Sequence, residues 1–139
     1  MEEKENLYLF FSEYADFMEE METIQKEKLE SILSNDLGRM ERSIKVQQAY
    51  AMRLDNIENR RIRLQAETGF GGMTLSEIIS CAPEERKTEL RLLFDRISRS
   101  LGNIKYFNDK AFEVADMNLR SAGEVTSDTA EGRRIDTKV

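Results

Sequence analysis

Proline occurs once in this 139-residue chain, at position 83. No residue breaks a helix more strongly, because it removes a backbone donor and clashes with the preceding turn. Its near-absence lets the chain run in long uninterrupted helices. Three of the seven glycines are gathered at Gly69, Gly71 and Gly72, which marks one flexible connection. The length fits one domain that buries roughly two-thirds of its unfolded surface. Histidine is missing altogether and cysteine occurs once, at Cys81. Those two counts remove the commonest acid–base group, the commonest metal ligand, any internal disulfide and Cys-based zinc sites. Cys81 reads as a reduced structural thiol.

Apolar spacing then places the helices. Over about residues 5–33, Leu7, Phe10, Phe11, Met18, Met21, Leu29 and Ile32 fall within about 60° of Tyr14 at 100° per residue, with Phe17 at the edge. Ser34-Asn35-Asp36 follows, three residues that favour turns and N-caps. A second helix is expected over about 36–67, with a stripe of Leu37, Met40, Ile44, Ala51, Leu54 and Leu64, weakened by Gln47 and Arg61. Thr68-Gly69 stops it. Thr74-Leu75-Ser76-Glu77 reads as a capping box with Met73 and Ile78 as its hydrophobic staple, opening a short helix over about 75–81. Pro83 opens the last helix at its first turn, where the missing N–H is harmless, and Glu84 and Glu85 face the positive end of its dipole. That helix should run to about 120, with a stripe of Leu90, Phe94, Ile97, Leu101, Ile104, Asn108, Ala111, Ala115 and Leu119.

The expected fold is all-α: an elongated antiparallel, up-down-up bundle of three long helices, with one short helix between the second and third. Residues 1–120 form the helical domain. Residues 121–139 have no periodicity and read as a disordered tail.

The net charge of −6 is unevenly spread: ten acids and three bases in residues 1–35, five and seven in 36–67. Arg53, Arg60, Arg61 and Arg63 are the only candidate nucleic-acid face, and they are better read as partners of the acidic first helix. No apolar run approaches the ~20 residues that span a bilayer, so no stable membrane insertion is expected. The start, Met1-Glu2-Glu3-Lys4-Glu5, lacks the basic stretch of a secretory signal, and a cytoplasmic location is expected.

Chemistry finds little support. Gly69-x-Gly71-Gly72-x-Thr74 lacks the lysine and the preceding strand of a phosphate-binding loop. Glu13, Asp16, Glu19, Glu20 and Glu22 lack the histidines that complete a di-metal carboxylate site, and read as a solvated face. No cofactor, metal or catalytic group is expected.

The last helix carries the anomaly. With Ile104 as zero, the core stripe spans about −20° to +80°, whereas Tyr106, Phe107, Val114 and Met117 lie near 200°, 300°, 280° and 220°. Four apolar side chains off the core face point to a platform for another helix, with Ile104 and Phe112 at its edge. Self-association through the same strip, or cover by the tail or the short helix, are the other ways to use it.

The order of these segments resembles a known family. The opening Leu7-Tyr8-Leu9-Phe10-Phe11, the run Leu54-x-x-Ile57-Glu58-x-x-Arg61-x-x-Leu64, Thr74-Leu75-Ser76-Glu77-Ile78-Ile79, Ala82-Pro83-Glu84-Glu85-Arg86, and the last helix through Leu90-x-x-Leu93-x-x-x-Ile97 to Asn108 resemble the FlgN family over about residues 5–120. Members are flagellar export chaperones for hook–filament junction (hook-associated) proteins. The resemblance implies a cytoplasmic chaperone without catalysis or cofactor. It would bind the C-terminal helical segments of its cargo through its own C-terminal region, prevent premature assembly and deliver the cargo to the export gate of the flagellar type III secretion apparatus. No gate-contact residue carries over: the family's pair of asparagines three residues apart is Asn108 followed by Ala111 here, and the tail has no aromatic residue. A secretion chaperone for another flagellar cargo remains the nearest alternative.

Overall fold

The structure is a computed structural model and describes residues 2–121, apart from the side chain of Glu2. The expected tail therefore lies outside the described residues, except Ser121. Four helices follow one another: α1 (Glu2–Ser34), α2 (Leu37–Glu67), α3 (Leu75–Ser80) and α4 (Glu84–Ser121). The described residues contain no strand.

Each junction is set by local chemistry. Asn35 takes a left-handed conformation (φ 57°), and the Arg39 amide donates to Asp36 Oδ1 at 3.1 Å, so Asp36 caps α2. At the far end of α2 the Phe70 amide donates to the Gln65 carbonyl at 2.7 Å and the Gly69 amide to the Ala66 carbonyl at 3.3 Å. That is a Schellman closure, and it needs the φ of +84° that Gly69 supplies. The capping box of α3 is complete: the Glu77 amide donates to Thr74 Oγ1 at 3.2 Å and the Thr74 amide to Glu77 Oε1 at 3.1 Å. Those bonds to Thr74 hold the Glu77 carboxyl below its ordinary pKa. Pro83 stands one position before α4 and accepts the Arg86 amide at 2.9 Å, so it caps the helix from outside its first turn. Cys81 is exposed at the end of α3 and contributes nothing to the core.

α1 is the central element. α2 runs antiparallel to it, tied by Arg60–Glu13 (3.2 Å), Arg53–Glu20 (3.2 Å) and Arg39–Glu27 (2.8 Å). α4 runs parallel to it, tied by Arg86–Glu5, Arg96–Glu19 (2.5 Å) and Lys28–Asn108 (3.0 Å). The up-down-up order holds, and of the four arginines expected to pair with the acidic first helix Arg53 and Arg60 do so, whereas Arg61 pairs with Glu58 of α2 itself and Arg63 makes no ion pair among the described residues. α2 and α4, however, do not pack on each other: no Cα of one comes within 8 Å of the other.

This openness corrects two expectations. α1 buries a sector far wider than one stripe, taking in Tyr8 and Ala15 as well as Leu7, Phe10, Phe11, Tyr14, Phe17, Met18 and Met21, because it receives a helix on each side. α2 turns a mixed face inward: Leu54 is buried with Ser43 and Gln65, and Tyr50, Ile57 and Leu64 pack against the core beside them, while Leu37 and Ile44 of the expected stripe are 75% and 56% exposed. Two of the inward polar groups, Glu58 and Gln47, are held by α1. Tyr14 donates to Glu58 at 2.8 Å, Gln25 donates to Gln47 at 2.8 Å, and Gln47 donates to the Ile24 carbonyl at 3.1 Å. The core thus changes along its length. It is aromatic and aliphatic from Leu7 to Met21, and polar around Gln25, Lys28, Ser31 and Asn108.

α3 closes the aromatic end. Its Leu75, Ile78 and Ile79 join the core, and it packs against α4. Buried Gln65 pins the preceding loop by donating to the carbonyls of Phe70 and Met73, both at 3.0 Å.

Candidate functional site

The pairs between α1 and α4 keep an offset of about 80 residues, which sets Ser34 beside residue 114 or so. The last seven residues of α4 therefore overhang the end of α1 by about 10 Å at 1.5 Å per residue. This overhang follows from sequence: the core stripe of α4 thins to Ala111 and Ala115, and the three-helix interior below it is polar.

The six residues expected at the partner site separate into three positions. Ile104 is 2% exposed and belongs to the core, so it offers no edge to a partner. It sits at the centre of the face that α4 presents to α1, and the strip's edge was drawn too close to it. Tyr106 and Met117 are 57% and 65% exposed on the outer side of α4. Phe107 and Val114 are half-buried beside them. The Tyr106 ring meets Phe107 edge-on, centroids 5.7 Å apart, and Lys110 Nζ lies 5.9 Å from the Tyr106 ring. These four form one continuous strip. Phe112 is half-buried about 140° around the helix from Phe107, on the flank turned toward α2.

Sequence reasoning passed over Lys28. Its ammonium donates to Asn108 Oδ1 at 3.0 Å, and burial pulls its pKa below the ordinary lysine value. Lys28 lies about 40° from Tyr14 on the α1 wheel, within the apolar stripe, so the break in that stripe was the available signal. Gln25, one turn earlier, makes a second break. Its Oε1 and the Ser43 hydroxyl are buried with no hydrogen-bond partner among the described residues.

Among the described residues no three Cys, Asp or Glu converge to hold a metal, and no helix is long and apolar enough to cross a membrane. What the described surface does offer is apolar area on a projecting helix. Comparison of the chain with family profiles gives a match to the profile described as FlgN protein, over residues 1–125. The chain belongs to the FlgN family. No curated protein and no solved structure matches it. The family is one of chaperones for flagellar protein export and is not an enzyme family, which agrees with an all-helical FlgN chain whose apolar side chains are partly left uncovered. Its members bind flagellar hook-associated proteins.

Proposed function

We propose that this FlgN-family chain is a cytoplasmic chaperone that binds the C-terminal helical segments of hook–filament junction proteins along the C-terminal half of α4, keeps them from assembling early and delivers them to the export gate. The observation that carries this reading is the strip of Tyr106, Phe107, Val114 and Met117 on a helix that overhangs the bundle. An unassembled junction segment is an amphipathic helix former with its apolar face uncovered. Folding against the strip removes apolar surface from water at roughly 25 cal/mol per Å², offset by the cost of ordering the segment. The surplus is moderate, which suits a complex that must come apart at the gate.

Phe107→Ala with Met117→Ala tests the site. Calorimetric titration with a C-terminal segment of a hook–filament junction protein should show binding weakened about tenfold or more, with an unchanged far-ultraviolet dichroism spectrum. Equal affinity of variant and parent would remove the strip from the binding site.

A further inference from the structure

Along one edge of the α1–α2 contact the same arrangement recurs every seven residues. In the first layer Arg60 pairs with Glu13 at 3.2 Å, and its guanidinium lies 5.2 Å from the Phe10 ring. In the second, Arg53 pairs with Glu20 at 3.2 Å and lies 5.1 Å and 4.7 Å from the rings of Phe17 and Tyr50, which stack on each other. The antiparallel register fixed by those pairs sets Ile24 and Glu27 of α1 opposite Ser43 and Val46 of α2 in a third layer. Ile24 stands where the first two layers have Phe10 and Phe17, Ser43 where they have Ile57 and Tyr50, and Val46 where they have arginine. Each replacement is smaller than the aromatic or arginine of the second layer. The third layer keeps a cleft of about 270 Å³ between Ile24 and Glu27 on one side and Ser43 and Val46 on the other, with Arg39 and Arg42 at its mouth.

The polar groups of this cleft are unevenly satisfied. Glu27 is served by Arg39, whose Nε and Nη2 donate to its two oxygens at 2.8 and 3.1 Å. Ser43 is not served. It is 7% exposed, and its hydroxyl has no hydrogen-bond partner among the described residues, so the usual bond of a helical serine to a carbonyl one turn back is not made. A buried hydrogen bond left unmade costs stability, and a group that completes it recovers that cost. Arg42 helps hold the Glu27 carboxyl below its ordinary pKa, yet among the described residues no carboxylate lies within 4.0 Å of Arg42 or Lys45, and no ring lies beneath either. The wider cleft of about 380 Å³ between the first two layers differs, because its arginines are paired and it contains no buried polar atom without a partner.

We propose that this cleft takes a tyrosine side chain from an acidic segment of another protein. The ring lies on Ile24 and Val46 beneath the Arg42 guanidinium, as the rings of the first two layers lie beneath theirs. The phenol hydroxyl reaches Ser43 and supplies the missing hydrogen bond. Acids beside the tyrosine meet Arg42 and Lys45. The volume is below that of sites for drug-sized ligands and suits one aromatic side chain. This chain has no ring to offer: Tyr8 and Tyr14 are buried, Tyr50 belongs to the second layer, exposed Tyr106 stands beside Lys105, and residues 122–139 contain no aromatic residue. The net charge of −6 disfavours an acidic segment at long range, so a preference for one reports these two cations. The proposal is independent of the cargo strip, which lies on α4.

Short peptides with Tyr, Phe or Ala between acidic residues, and a fourth with Tyr between lysines, test it by nuclear magnetic resonance titration of the isotope-labelled full chain. The acidic Tyr peptide should shift the signals of Ile24, Ser43 and Val46 and bind about fivefold tighter than the Phe peptide. The Ala peptide and the lysine-flanked peptide should bind about tenfold weaker or less. Ser43→Ala should abolish the Tyr/Phe difference without lowering Tm, because the hydroxyl has no partner in the free protein. Val46→Arg, which supplies the missing arginine of the third layer, should block the Tyr peptide with dichroism unchanged. Phe107→Ala with Met117→Ala should change none of the affinities, which separates this site from the proposed cargo strip. Equal binding of the Tyr and Ala peptides, no binding at all, a Tyr/Phe difference that survives Ser43→Ala, or a lower Tm for that variant would overturn the proposal.

Discussion

Gln65→Leu isolates the contact that holds the aromatic end of the bundle shut. The Gln65 side chain is buried and serves three partners: it donates to the Phe70 and Met73 carbonyls and accepts from Arg61 Nη1 at 2.9 Å. Leucine keeps most of the volume and removes all three bonds. Two neutral hydrogen bonds contribute about 1 kcal/mol each, and a carbonyl left buried without a donor adds a further penalty of about 1 kcal/mol. A loss of about 2–3 kcal/mol should lower Tm by roughly 6–10 °C for a chain of this size. Thermal unfolding followed by dichroism measures it, with Gln48→Leu on the exposed side of α2 as a control expected within ±0.5 kcal/mol. Hydrogen exchange should also quicken at the amides of α3, because the loop that positions Leu75 and Ile78 is released. A Tm within 2 °C of the parent, with unchanged exchange in α3, would refute this account of the loop.

Two further outcomes concern charge. Lys28→Met should stabilise the isolated protein by about 1 kcal/mol near neutral pH, because it removes a half-buried ammonium. The folded-state pKa of Lys28 lies below its ordinary value of 10.5, so the folded protein binds fewer protons than the unfolded chain between those two values. Parent stability therefore rises with pH across that window, and the advantage of the variant should shrink there in thermal scans. Arg96→Ala should cost less than 1 kcal/mol, since the pairs with Asp16 and Glu19 are largely exposed. The loss should fade in high salt. It should also fade on acidification: Arg96 holds the Glu19 carboxyl below its ordinary pKa, so this contribution is present above the unfolded value and disappears as pH falls through the folded one.

The helices, their order and most of their ends were legible because the signals are local. Ser34-Asn35-Asp36, Gly69 and the Thr74–Glu77 box act within a few residues of themselves, and each is found doing what its chemistry dictates. The inward face of α2 was legible only in part. Leu54 and Leu64 pack inward as their spacing implies, and Gln47 lies on the same face, where Gln25 and the Ile24 carbonyl meet it; Leu37 and Ile44 stay exposed, because the core beside the start of α2 is polar and Ser43 is what is buried there. Tyr8 was missed for the complementary reason. A central helix buries a wide sector, whereas a single mean direction describes a helix with one neighbour. On α4 the core stripe was legible, Ile104 included, and so were the four apolar residues opposite or beside it; the error was a second role for Ile104 at the strip's edge, since it is buried at the centre of the inward face. Lys28 needed the register between α1 and α4 to bring it to Asn108, 80 residues away in sequence.

The claim that the far end of α4 holds the cargo is tested most directly by hydrogen exchange with and without the C-terminal segment of a hook–filament junction protein. Protection should rise over residues 106–117 of α4, with α3 and the aromatic half of α1 unchanged. Protection confined to α2, or to the α3 end of the bundle, would contradict it.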